Sequence, residues 1–204
     1  MKLLIASNNA GKVREYGQIF AELPFEVTYL EQEGITLDPA ETGQTFAENA
    51  IIKAQAFAQA GGLLTLADDS GLEVDALNGE PGVYSARYGQ TAKDDHAGRY
   101  RIVLDKLAAL KLTDQARTAR FRCVIAIATP AGRIELAEGA VEGLIAQQPA
   151  GSFGFGYDPI FYLPEFAKTM AQLEPAAKNK ISHRGRAARQ AVPLLRQLLD
   201  ELAP

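Results

Sequence analysis

Two adjacent carboxylates, Asp68 and Asp69, follow the apolar run Leu63-Leu64-Thr65-Leu66-Ala67 and precede Ser70-Gly71. The run reads as a strand, so the acidic pair falls at a strand end. Successive side chains on a strand face opposite ways, which turns one aspartate toward a cleft and the other toward supporting structure. Paired carboxylates suit Mg²⁺, a cation that takes oxygen ligands and keeps waters for a substrate phosphate to replace. Asp, Ser and Gly also build turns, so a plain acidic turn is the competing reading. Glu41, in a loop before Thr42-Gly43, is a candidate second metal ligand, whereas Glu48 already has a local task at the third helical position after Thr45.

Three further constellations carry possible chemistry. Ser7-Asn8-Asn9-Ala10-Gly11-Lys12 links a first strand to a first helix. Amides at that helix start, helped by Lys12, suit an anion; a helix cap made by Ser7 or Asn9 is the alternative. The loop is no Walker A sequence, because Ala6 and Val13 stand where that motif requires Gly and Ser or Thr. Gly151-Ser152-Phe153-Gly154-Phe155-Gly156-Tyr157-Asp158-Pro159 combines glycines, which let a backbone approach a ligand closely, with the flat faces of Phe155 and Tyr157 and the acceptor Asp158. It lacks the third glycine of a dinucleotide fingerprint, and a strained loop between strands is its bland reading. Lys178 with Ser182-His183-Arg184-Gly185 reads either as an anion or base contact or as a serine-capped helix with solvated charges. His96 and His183 are the only histidines. Neither a nucleophile triad nor a zinc pattern suggests itself.

The elements that must position these residues follow from periodicity. Residues 2–6 form a short buried strand, and Val13, Tyr16, Ile19, Phe20 and Leu23 share one face of the next helix. Residues 25–30 alternate as a strand. Thr45-Phe46-Ala47-Glu48 opens a long alanine-rich helix that Gly61-Gly62 ends. A strand pattern resumes at 72–77, an irregular loop covers 78–89, and a helix is predicted over 92–112. Residues 120–129 and 133–146, separated by Pro130-Ala131-Gly132, read as a long hairpin. A last helix, from about 184 to 202, contains Pro193. The fold class is α/β with a mixed, partly antiparallel sheet, in one domain spanning residues 1–204.

Composition narrows the function classes. The chain has 204 residues, 47% of them hydrophobic and 23% charged, as in an ordinary globular protein. No segment approaches the roughly 20 apolar residues of a membrane span, so no membrane partner is expected. The start turns polar after four apolar residues, which points to a cytoplasmic protein. The lone Cys123, beside Val124-Ile125-Ala126-Ile127, reads as a buried, inert thiol. A net charge of −4 disfavours nucleic acid as a partner. Residues 168–196 nevertheless carry +6 against −10 elsewhere, a local patch suited to a small polyanion.

Taken in order, these motifs resemble the inosine triphosphate pyrophosphatase family, in particular its bacterial dITP/XTP pyrophosphatases. The resemblance runs nearly end to end. Its carriers are residues 7–12, Glu41-Thr42-Gly43 with Phe46, Glu48-Asn49-Ala50 and Lys53, Ala67-Asp68-Asp69-Ser70-Gly71-Leu72, Pro81-Gly82-Val83-Tyr84-Ser85-Ala86-Arg87-Tyr88, Phe155-Gly156-Tyr157-Asp158-Pro159-Ile160-Phe161, and Ser182-His183-Arg184-Gly185. Ser7-Asn8 stands where relatives often carry Thr-Gly.

The resemblance implies an elongated two-lobed fold, with helices flanking the sheet and a central cleft for the nucleotide, and a homodimer. It implies that Ser7, Asn8, Asn9, Ala10, Gly11 and Lys12 bind a triphosphate, that Glu41 and Asp69 hold one or more Mg²⁺ ions per subunit, and that Ser70 touches substrate. Phe155, Gly156, Tyr157, Asp158, Lys178, His183 and Arg184 are expected around the nucleotide, reading a purine base by its 6-oxo group. Asp69 and Lys12 are the expected catalytic residues, the first as proton acceptor for a water attacking the α-phosphorus. Pyrophosphatases for modified pyrimidine triphosphates and a non-hydrolysing nucleotide sensor are the rival readings.

Overall fold

The computed structural model describes residues 1–92 and 94–202. Its strands are β1 (Lys2–Ile5), β2 (Glu26–Tyr29), β3 (Leu64–Val74), β4 (Thr118–Ala128), β5 (Ile134–Ile145), β6 (Phe161–Leu163) and β7 (Lys168–Thr169). Its α-helices are α1 (Ala10–Ile19), α2 (Phe46–Gly61), α3 (His96–Ala109), α4 (Pro175–Ile181) and α5 (His183–Leu202). The seven strands form one sheet in the order β2-β1-β3-β4-β5-β6-β7. β1 pairs in parallel with β2 and β3, whereas β5, β6 and β7 pair antiparallel, so the sheet is mixed as the sequence implied. Short 3₁₀ turns make up much of the rest.

Local chemistry explains most of these elements. Asn9 caps α1, its side chain accepting from the amides of Gly11 and Lys12. Thr45 caps α2, and Gly62, in the left-handed region at φ 61°, ends it. Glu48 reaches the amide of Gln44 rather than that of the cap residue. Buried Ala187, Ala188, Ala191, Leu195 and Leu198 recur at helical spacing along α5. Pro193 lies within that helix on its exposed side.

Two expectations are corrected. Residues 64–74 are one uninterrupted strand, so Asp68 and Asp69 lie in mid-strand rather than at a strand end. Turn propensity at Asp-Asp-Ser-Gly is overridden as β3 continues in the sheet beside β4. The helix predicted over 92–112 is shorter, since Asp95 caps its start; Lys93 lies outside the described residues.

The chain divides into two compact units. The first comprises Met1–Asp69, Cys123–Gly139 and the chain from Arg184 onward; its core includes Leu3, Ile5, Tyr16, Phe20, Leu66 and Ile125. The second comprises Ser70–Arg122 and Ala140–His183, with Leu72, Val103, Leu107, Phe121 and Phe161 in its core. Among the described residues no helix is long and apolar enough to cross a membrane.

Candidate active site

In the first unit, β3 outlasts its neighbour: Ile5, the last residue of β1, pairs with Leu66. Two residues further along β3, Asp68 meets the loop and helix that follow β1. Lys12 Nζ lies 2.9 Å from Asp68 Oδ2, and Arg184 lies 3.7 Å from the same oxygen while pairing with Glu15. The Cys123 thiol also donates to Asp68 Oδ2, at 3.6 Å. Burial works to raise the Asp68 carboxyl, but the charges of Lys12, Arg184 and Lys53 outweigh it and hold the group well below the usual carboxylate range. Asp68 is therefore a fixed anion.

Asp69 faces the other way. Asn49 donates to its Oδ2 at 3.1 Å, and Lys53 Nζ approaches its Oδ1 at 3.5 Å while bonding Glu41 Oε1 at 2.6 Å. The fully buried Asn49 also accepts from the amide of Gly43 at 2.8 Å, which ties the Glu41 loop to the carboxylate. Gly43 must be glycine for this approach, because a Cβ there meets Glu48 Cβ at 2.6 Å and Asn49 Oδ1 at 2.7 Å. Burial pushes the Asp69 carboxyl above its ordinary value against the pull of Lys53 and Lys12, and Glu41 adds to the rise. Buried carboxyls so displaced are the ones suited to accept a proton.

The second unit builds a different cluster. Asp158 Oδ2 accepts from the Phe155 amide at 2.8 Å and from Lys178 Nζ at 2.6 Å, with both side chains buried. Gly154, at φ 76°, permits this closure, since a Cβ there stands 2.1 Å from Asp158 Oδ2. Lys178 Nζ also lies 4.9 Å from the centroid of the half-exposed Phe155 ring. Tyr157, by contrast, is buried and donates its hydroxyl to the carbonyl of Ser85 at 2.9 Å. Of the two aromatics, Phe155 alone offers an accessible face. His183 is buried and stacks on Phe121 with centroids 4.6 Å apart.

Two members of the basic segment are engaged by carboxylates of their own units. Lys178 is buried with Asp158 in one unit, and Arg184 is buried with Asp68 and Glu15 in the other.

A family model described as the Ham1 family matches residues 3–194. The chain belongs to the Ham1 family. It is 51% identical over 200 residues to the dITP/XTP pyrophosphatase of Desulforamulus reducens, covering 97% of each chain. It is 47% identical to that of Bacillus subtilis over 193 residues, or 94% of this chain and 96% of the relative. A solved HAM1 protein from Coxiella burnetii superposes with a TM-score of 0.86 at 42% identity, covering 97% of this chain and 99% of that one. A Mycobacterium abscessus structure described as nucleoside-triphosphatase / dITP/XTP pyrophosphatase gives 0.75 at 41% identity, covering 95% and 100%.

In this Ham1-family chain Asn9 caps the helix by engaging the amides of Gly11 and Lys12, and the exposed Asn8 with the Lys12 ammonium is what this segment offers an anion. The donor set also bears on a metal. Among the described residues no group of three or more His, Cys, Asp or Glu side chains is placed to hold an ion unaided. Glu41 and Asp69 instead converge on one cationic nitrogen, that of Lys53. Two carboxylates converging on one cationic group offer the anionic oxygen ligands that Mg²⁺ takes when it binds together with a nucleotide, so the donor chemistry of the residues fits that ion. Sequence reasoning gave no role to Lys53, Asn49 or Glu15. Asn49 and Lys53 stood among the motif residues and Glu15 on the first helix, but their partners lie up to 169 residues away.

Proposed function

We propose that this chain hydrolyses non-standard purine nucleoside triphosphates, ITP, dITP and XTP, to the nucleoside monophosphate and pyrophosphate, and so removes them from the nucleotide pool. Relatives named dITP/XTP pyrophosphatase at 51% and 47% identity support the substrate class. The observation that carries the chemistry is Asp69, a buried carboxyl raised above its ordinary value and held by Asn49 and Lys53 beside Glu41.

A water held by Asp69 gives its proton to that carboxylate while its oxygen attacks the α-phosphorus. The bond to the bridging oxygen breaks in line, and pyrophosphate departs with the electron pair. Asn49 and Lys53 fix the angle of the Asp69 carboxylate. Lys12, anchored by Asp68, neutralises charge growing on the phosphate oxygens. Residues 7–12 hold the triphosphate, and Ser70 touches substrate. Mg²⁺, as one or more ions per subunit bound beside Glu41 and Asp69, supplies charge neutralisation and a more acidic water.

Phe155, Gly156, Tyr157, Asp158, Lys178, His183 and Arg184 surround the nucleotide in this reading. Phe155 offers its ring to the base and Lys178 a donor to the 6-oxo group of hypoxanthine or xanthine. The 6-amino group of adenine leaves such a donor unpaired, which costs affinity. A homodimer and a cytoplasmic setting complete the proposal, the former checked by light scattering.

The experiment is initial-rate release of pyrophosphate from ITP, XTP, GTP, ATP and dUTP, with Mg²⁺ and with chelator. Metal-dependent release from ITP and XTP is expected. Release mainly from another nucleotide removes the assignment of the base-reading residues, and no turnover on any removes the enzyme reading.

A further inference from the structure

The first turn of α3 brings together two side chains that the chemistry above does not use. Arg99 is 3% exposed, and its Nη1 donates to the carbonyl of Ala92 at 3.0 Å and to Thr91 Oγ1 at 3.4 Å. Its Nη2 lies 2.6 Å from His96 Nδ1. A guanidinium has donors only, so in this contact Nδ1 must accept. The imidazole is therefore neutral, with its one proton on Nε2. Burial first and the charge of Arg99 second lower the pKa of His96, in keeping with that state; Asp94, Asp158 and Asp95 pull the other way.

His96 is also a neighbour of the aromatic loop. Its ring centroid lies 6.5 Å from that of Phe155, tilted by 49°, while Lys178 Nζ stands 4.9 Å from the same Phe155 centroid. Two donors of different character thus stand near one half-exposed aromatic ring: a cation held by Asp158, and a neutral N–H fixed by Arg99. A purine resting on that ring presents two edge positions beside N1. Position 6 is a carbonyl in hypoxanthine, xanthine and guanine alike. Position 2 differs: a carbonyl in xanthine, a bare C–H in hypoxanthine, and an amino donor in guanine.

We propose that His96 is a specificity-determining residue that reads the 2-position of the purine, and that Arg99 is its positioning residue, fixing the Nε2–H tautomer. The inference rests on the purine triphosphatase reading above. A fixed donor at this position hydrogen-bonds the 2-oxo group of XTP and is indifferent to ITP. It meets the 2-amino group of GTP donor to donor. The 6-oxo contact cannot make that distinction, so a second donor is what excluding GTP requires. A site built around a buried polar partner rejects a mismatched analogue far better than an apolar pocket does.

The test is kcat/KM for XTP, ITP and GTP with the wild-type chain and with His96→Ala, His96→Gln, Arg99→Met and the double variant His96→Ala/Arg99→Met. His96→Ala lowers the XTP:ITP ratio by about tenfold, the scale of one lost hydrogen bond, and raises GTP:ITP. His96→Gln, whose amide can present its oxygen, raises GTP:ITP further. Arg99→Met releases the tautomer and shifts the same ratios, but adds nothing to them in the double variant, because it acts through His96. Equal loss on all three substrates in both His96 variants, or no change in the ratios, overturns the inference while leaving the pyrophosphatase reading intact. Failure of the wild-type chain to hydrolyse any of the three overturns both.

Discussion

Asp68 and Asp69 are consecutive on β3, yet their carboxyl groups are held in opposite electrostatic conditions. Asp68, against Lys12 and Arg184, is kept ionised, whereas Asp69, held by Asn49 and Lys53 next to Glu41, is displaced toward protonation. Two carboxyls with separated tendencies permit two roles at one pH, one an anchor and the other a base.

Asp69→Asn is expected to lower kcat by roughly two to four orders of magnitude, the usual contribution of a general base. Nucleotide binding, followed by calorimetry with ITP, should persist. A variant retaining most of its turnover removes Asp69 from the role of base.

Lys53→Met should move the acid limb of the kcat/KM profile. Protonation of Asp69 silences a base, so the rate falls as pH drops through a pKa lying above the ordinary 3.8. The charge of Lys53 pulls that pKa down, and its removal therefore shifts the limb to higher pH. A limb that stays in place, or moves to lower pH, contradicts the Lys53–Asp69 coupling.

Asp68→Asn should lower stability as well as the rate that Lys12 supports. The half-buried Lys12 and the buried Arg184 lose their shared counter-charge, Arg184 keeping Glu15, at a cost of about 3 kcal/mol in urea unfolding. The pH dependence has a definite sign. A carboxyl depressed in the folded state contributes stability that is present above 3.8 and lost as pH falls from there toward the lower folded value. The wild-type chain should show that acid loss more strongly than the variant.

Glu41→Gln should raise the Mg²⁺ concentration for half-maximal rate on the order of tenfold, because one charged oxygen ligand becomes neutral. Chelator should silence wild type and variant alike. An unchanged metal requirement takes Glu41 out of the metal site.

Cys123 should resist thiol reagents until the chain unfolds. Burial first, then the neighbouring Asp68 charge, pushes its thiol up to about 12, leaving almost no thiolate at neutral pH. Labelling with an aromatic disulfide should therefore track unfolding; rapid labelling of the native chain contradicts the buried setting.

What could be read from the sequence was what local spacing encodes. The strand, loop and helix around residues 7–12, the Thr45 cap, the hairpin read over 120–129 and 133–146 and α5 with Pro193 all rest on periodicity and capping within a few residues. The path of β3 through Asp68-Asp69-Ser70-Gly71 was not legible, because four turn-forming residues in a row speak for a bend unless a neighbouring strand holds them straight. Nor were the partners of Arg184. The charge run suggested a patch, but ion pairs with Asp68 and Glu15 depend on contacts across more than a hundred positions. Tyr157 read as an exposed face because its glycine neighbours mark a loop; it lies instead in the second unit's core, its hydroxyl bonded to Ser85, 72 residues earlier.

The unbroken course of β3 makes the division between the two aspartates a question of odd and even. Leu64, Leu66 and Asp68 alternate with Thr65, Ala67 and Asp69, and each set belongs to one side of the sheet. Inserting or deleting a single residue between Leu66 and Asp68 would exchange the sides, sending the anchor toward Lys53 and the base toward Lys12 and Arg184. A turn absorbs such a change of length by puckering; a strand paired within a sheet does not. This stretch should consequently tolerate substitution at Ala67 far better than any change in its length.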